Sequence, residues 1–339
     1  MIPYRAEFFD RQLGYQLFTV IDEPEIKMDY LTLDKTSVTL PSVANVSRGW
    51  YCRIVHGSET LLQGTVASVS QSKGSTSVQI APMAALFDTQ IYKDRTSYTK
   101  TDLEGWMAGI LTENFCNTGD SVQDICGFTA TSATSTDGVA LNLEDNIHAF
   151  WKGIAKKAIE NAKIVIECAF DPQSRTVSAV VRSYAGVPEI TLEADLPNVI
   201  NQNFTLRDDT GSTNKCVIVN RNNESEQAVF YSEDYAAPTV RRIEWVTVET
   251  GKTFAQTAKD KADEMLKKSD FDNLIELQYR IEDPMIPAIK IGQPCRIIKN
   301  GTVYRSVLTG YHEKSGMKTL IFGGVRIDFT KILKLKGAI

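Results

Sequence analysis

Hydrophobic and polar residues alternate along the amino-terminal stretch, and the period changes at Thr101. From Tyr15 to Ile80 the chain reads as strands and turns: YQLFTVID, DYLTLDKTSVTLP, WYCRIVHGSETLLQGTVASVS and STSVQIAP, with turns at His56-Gly57 and Lys73-Gly74. This pattern predicts a small antiparallel barrel or sandwich. Alternation sets Tyr51, Arg53 and Val55 against Cys52 and Ile54, so one face is expected in the core and the other in solvent or against a subunit.

Helical spacing takes over next. Leu103, Trp106, Met107, Ile110, Leu111 and Phe115 form one apolar face, and Thr101 with Glu104 has the spacing of a capping box, worth on the order of 1 kcal/mol. A loop rich in Thr, Ser and Gly is predicted for 117–138, and a second helix for Leu143–Ala162. Strands at Lys163–Phe170 and Thr176–Ser183 follow, joined by a turn around Asp171-Pro172.

Strand character returns from Glu189 to Thr250: ITLEAD, NKCVIVN, a polar turn at Arg221–Glu226, AVFYSED and TVRRIEWVTVE. An amphipathic helix is then predicted from Gly251, with Phe254, Ala258, Ala262, Met265 and Leu266 on its apolar side. Strands at Leu274–Arg280, Pro294–Lys299 and Thr302–Thr309 come after it, the last two flanking Asn300-Gly301, a dipeptide suited to a tight hairpin. The simplest reading is one helix laid on a sheet. In the tail, Lys331, Lys334 and Lys336 alternate with Ile332, Leu333 and Leu335, as in a solvated final strand or helix.

The order is therefore β, then α/β, then β with one helix. The fold class is mainly β with an α+β insert. Expected boundaries are 1–98 for a first β domain, 99–188 for the insert, 189–250 for the first part of a second β domain, and 251–339 for the helix and hairpins that complete it. No repeat of 20 to 50 residues is visible, although the two β regions could be diverged copies of one fold.

Composition narrows the function. A chain of 339 residues with 42% apolar and 23% charged residues has the balance of two to four globular domains. Thirty-seven basic against 42 acidic side chains leave a charge of −5, which argues against gripping nucleic acid through its phosphates. No window reaches the roughly 18 to 20 apolar residues of a membrane span, and MIPYRAEFFDRQ is charged where a signal peptide is apolar, so a cytoplasmic site of synthesis is expected. Six cysteines without any CxxC spacing read as reduced, mostly buried thiols.

Candidate chemistry is sparse. Gly251-Lys252-Thr253 precedes a helix, but a phosphate loop needs glycine where Val246 stands. His56, His148 and His312 share no ligand spacing, and turn or surface roles outweigh metal or general-base roles. Acid pairs such as Asp208/Asp209 and Glu144/Asp145 are more typical of turns and helix starts than of acid–base pairs, and Arg241-Arg242 with Trp245 fits cross-strand packing better than a nucleic-acid platform. No catalytic, cofactor-binding or metal-binding residue is assigned.

Several stretches resemble the tail hub family of bacteriophages: the central baseplate hub of contractile tails and the amino-terminal module of siphophage tail-associated lysins. They are Ser37–Pro41 with the hairpin Tyr51–Ser70, Leu196-Pro197-Asn198-Val199 leading to Asn214-Lys215, Tyr231 with the Arg242-Ile243 strand, and Asp272–Tyr311 with IGQPCRII and YRSVLTGY. The order of elements matches better than any single motif. The resemblance implies a homotrimer in the virion tail, assembled in the bacterial cytoplasm. Two tube-like β domains per subunit would form a pseudo-sixfold ring that closes the tail tube, with α/β domains outside. Its implied partners are distal tail or tail tube proteins and tape-measure or fibre proteins, with genome DNA passing through non-specifically. Lytic or receptor-binding activity is not carried over, because many siphophage members continue into such a domain and this chain stops at Ile339, either as a short hub or as part of something longer. Two other readings stay open: a peptidoglycan or glycan hydrolase with paired carboxylates, and a carbohydrate-binding module for host adsorption using Tyr92, Tyr98 or Tyr235.

Overall fold

The computed structural model describes residues 3–92, 98–139, 141, 147–206, 213–232, 243–249, 253–266, 273–284, 286 and 288–325. They fall into two compact units, Met1–Gln202 with Glu276–Phe322, and Asn203–Ile275 with Gly323–Ile339. The architecture is mainly β with an α+β insert, as the sequence predicts.

In the first unit, β1 (Tyr4–Phe9), β2 (Tyr15–Ile21), β3 (Ile26–Asp29), β4 (Thr36–Leu40), β5 (Tyr51–His56), β6 (Glu59–Ser72) and β7 (Ser75–Pro82) come first in the chain. Six of them form an antiparallel sheet in the order β2-β1-β5-β6-β7-β4. The sheet curls until β4 lies beside β2, giving a half-barrel. Period-two alternation turns Ala6, Phe8, Cys52, Ile54, Leu62, Val78 and Ile80 inward. Each large side chain there contributes about 1.5–3 kcal/mol by leaving water.

Tyr51 and Val55 are as buried as Cys52 and Ile54, which corrects the expectation of one solvent or subunit face on this strand. The second face is covered by the chain itself: the Phe170 ring lies 5.2 Å from that of Tyr51 and 5.6 Å from that of Phe9.

Next in the chain come a 3-10 turn at Met83–Phe87, β8 (Gln90–Tyr92), α1 (Leu103–Phe115), β9 (Phe128–Ser132) and β10 (Ile147–Ala149), the last three within the expected insert. A π-helical turn at Phe150–Ala155 then runs into α2 (Lys156–Ala162), followed by β11 (Ile164–Asp171) and β12 (Thr176–Ser183). β11, β12 and β9 form a sheet in that order, with β9 parallel to β12, and β8 pairs with β10. Three expectations change here. The loop predicted for 117–138 contains β9, because Phe128 is drawn into an aromatic cluster with Phe87 and Phe115. The helix predicted for Leu143–Ala162 is present only from Phe150 onward; 147–149 is a strand instead, and 142–146 lies outside the described residues. Asp102, not Thr101, caps α1 by accepting from the Gly105 N–H, while Glu104 is buried and accepts from the Thr134 hydroxyl, the Thr136 hydroxyl and the Thr136 N–H.

Later strands complete the first unit. β13 (Ile190–Glu193) runs parallel to β19 (Pro294–Lys299), which forms a hairpin with β20 (Thr302–Lys314), and β20 pairs in turn with β21 (Met317–Phe322). Asn300 and Gly301 both have positive φ, 49° and 75°, as a tight primed turn requires. β3 joins this sheet by pairing with β20 at Gly310, where a Cβ would sit 2.5 Å from the Met28 carbonyl oxygen.

In the second unit, β15 (Lys215–Asn220) is the centre of a three-stranded sheet between β16 (Asn223–Tyr231) and β17 (Ile243–Val248). The chain enters this unit along β14 (Asn201–Leu206) and leaves it along β18 (Asn273–Arg280). α3 (Phe254–Leu266) packs Phe254 and Ala258 onto Cys216 and Ile218, with Ala228, Phe230, Val246 and Val248 around them. A helix does lie on a sheet, but the sheet is made of strands that precede it. The hairpin at 294–309 belongs to the first unit.

Candidate interaction surfaces

Among the described residues, two sheet faces carry large apolar side chains into solvent. The first is the outside of the half-barrel. Pairing of β2, β1 and β5 sets up the rows Val20–Arg5–Val55, Phe18–Glu7–Arg53 and Tyr15–Phe9–Tyr51. Phe170 of β11 covers the β5 end of the last of these rows, and at the β2 end Tyr15, Phe18 and Val20 stay exposed, Phe18 by 57%. In the middle row Nε and Nη2 of Arg53 both reach Oε2 of Glu7, at 2.9 and 2.7 Å, and the Arg53 guanidinium lies 5.7 Å from the Phe9 ring centre. Burial pushes the Tyr51 phenol up to about 12.

The second face belongs to the β16-β15-β17 sheet, on the side away from α3. Its rows are Tyr231–Lys215–Ile243, Val229–Val217–Trp245 and Gln227–Val219–Thr247. Val217 is only 2% exposed, yet its neighbours Val229, Ile243 and Trp245 are 46%, 55% and 65% exposed. Lys215 Nζ stands 5.7 Å from the Tyr231 ring centre. Exposed apolar side chains grouped in this way mark contact surfaces in soluble proteins more often than catalytic sites. Aromatic anchors near a dry centre are typical of them.

Charge is concentrated elsewhere in the first unit. Glu25 receives Lys314 at 2.8 Å, His312 at 3.0 Å and Lys27 at 3.1 Å. Hydrogen bonds from Lys314 and then Lys27 hold its carboxyl down at about 2. Glu23 accepts from the Gly316 N–H at 2.9 Å, so both acids tie the β2–β3 connection to the β20–β21 hairpin.

The structure scatters the sequence candidates. His56 ends β5 and stacks on Tyr4 with ring centroids 4.4 Å apart, His148 lies in β10 rather than on a helix, and His312 lies in β20 against Glu25. Tyr98 donates to the Val139 carbonyl at 2.8 Å and tilts against Trp106, while Tyr92 is exposed. Asp208/Asp209, Glu144/Asp145, Tyr235, Arg241/Arg242, Gly251/Lys252 and the lysines of the tail lie outside the described residues. The six cysteines are free, with Cys52, Cys216 and Cys295 buried and Cys126 exposed, and burial raises the Cys295 thiol to about 12. Among the described residues no group of three or more His, Cys, Asp and Glu side chains is placed to hold a metal ion. No described helix is long and apolar enough to cross a membrane. The β17 face was missed because Ile243-Glu244-Trp245-Val246-Thr247-Val248 is apolar on both sides, and that double pattern was the available signal.

Comparison of the whole chain gives a consistent result. It is similar to the prophage MuSo2 43 kDa tail protein from Shewanella oneidensis, with 13% identity, a TM-score of 0.59, and coverage of 95% of this chain and 98% of that one. A tail protein from Neisseria meningitidis MC58 matches with 14% identity and a TM-score of 0.53, covering 94% and 96%. The chain has a phage tail protein fold. Prophage tail protein gp18 from Listeria monocytogenes EGD-e matches over 99% of both chains, with 10% identity and a TM-score of 0.53. A chain of the phage P2 baseplate in its activated conformation matches with 10% identity and a TM-score of 0.56, covering 94% and 98%. No family model matches the sequence, and no curated protein does. Tail and baseplate proteins thus share this fold across nearly their entire matched length.

Proposed function

We propose that this chain is a structural subunit of a bacteriophage or prophage tail tip or baseplate, assembled in the bacterial cytoplasm as a homotrimeric hub. The observation that carries the reading is the fold correspondence with tail proteins, over 95% of this chain and 98% of the Shewanella protein. In this reading three copies close the tail tube as a pseudo-sixfold ring. They contact distal tail or tail tube proteins and tape-measure or fibre proteins, and DNA leaves through the channel without sequence-specific binding. The exposed faces around Phe18 and Trp245 support contact between copies or with these neighbours, since a ring made of one gene product needs two different surfaces on each subunit. A net charge of −5 suits a passage that must not retain phosphate. The chain acts through shape and makes or breaks no bond.

Light scattering on the purified chain, with electron microscopy of the same fraction, tests the assembly. Three times the chain mass and a ring with a central opening are expected. A monomer at high concentration with no ring would remove the trimer.

A further inference from the structure

We draw no further inference here: the strongest candidate, the apolar face of the β16-β15-β17 sheet with Val229, Ile243 and Trp245 exposed, belongs to the surfaces already described, and nothing in the structure shows what covers it.

Discussion

The indole N–H of Trp151 donates to the backbone carbonyl of Tyr30 at 2.6 Å, and the two rings lie 4.7 Å apart at 56°. Tyr30 follows β3, and Trp151 sits in the π-helical turn before α2, so this contact ties the half-barrel region to the insert within the first unit. The Tyr30 hydroxyl also accepts from the Ile166 N–H of β11 at 3.1 Å, and burial raises its phenol far above the usual range. Tyr30→Phe leaves that buried N–H without its acceptor and should cost about 1–3 kcal/mol. Trp151→Ala should cost about 3–5 kcal/mol by opening a cavity. Urea denaturation followed by circular dichroism measures both, and a Trp151→Ala variant as stable as the parent would contradict this account of the contact.

Gln63 plays a similar part from β6. Its side-chain amide donates to the Phe170 carbonyl at 3.0 Å and accepts from the Phe170 N–H at 3.0 Å, standing in for a neighbouring strand at the edge of β11. Gln63→Ala should destabilise by about 1–3 kcal/mol and speed hydrogen exchange at the Phe170 amide, with little change at amides of β12.

Gly310 has no room for a side chain. A methyl group there would meet the Met28 carbonyl oxygen at 2.5 Å and the Asp29 Cα at 3.1 Å, both backbone atoms of β3. Gly310→Ala should therefore cost about 1–3 kcal/mol and weaken the β3–β20 pairing first. Amide exchange at Tyr30, whose N–H donates to the Thr309 carbonyl of β20 at 2.9 Å, is the readout, and protection equal to the parent's would refute the close approach.

The Glu25 carboxyl gives an acid dependence of known sign. Its folded value, about 2, lies below its ordinary 4.5, so the stabilisation is fully present above 4.5 and is lost as pH falls towards 2. The Glu25 side chain is one-third exposed, so solvent screening keeps the effect below about 1 kcal/mol. Glu25→Gln should flatten that part of the stability curve and reduce its salt dependence. A variant whose curve between pH 4.5 and 2 overlays the parent's would show that Lys314 and Lys27 contribute nothing through Glu25.

Trp245 and Phe18 should matter for association rather than folding. Trp245→Asp or Phe18→Asp should leave the melting temperature nearly unchanged, because both side chains already face water, and should shift sedimentation equilibrium towards monomer. Trimers of undiminished stability in both variants would move the contact surface elsewhere.

The purified chain should leave bacterial cell-wall suspensions turbid. Clearing would favour a hydrolase over an assembly protein.

Local pattern was enough for β2 and β4 to β7 of the half-barrel, though not for β1, and for the hairpin at Asn300-Gly301, the existence of α1 and α3, and the mainly β class, since each is set by side-chain period and turn residues within a few positions. It was not enough where distant residues competed. Phe128 forms a strand because Phe87 and Phe115 are there to receive it, and Glu104 leaves its place in a capping box for Thr134 and Thr136, about thirty residues on. Tyr51 is buried because Phe170 arrives from another sheet, and α3 lies on β15 rather than on the strands that follow it. Alternation within a strand separates two faces but does not say what covers either one. That depends on which segments meet in space, so the sequence determined the elements, and tertiary packing alone decided that the faces at Phe18 and Trp245 would stay open.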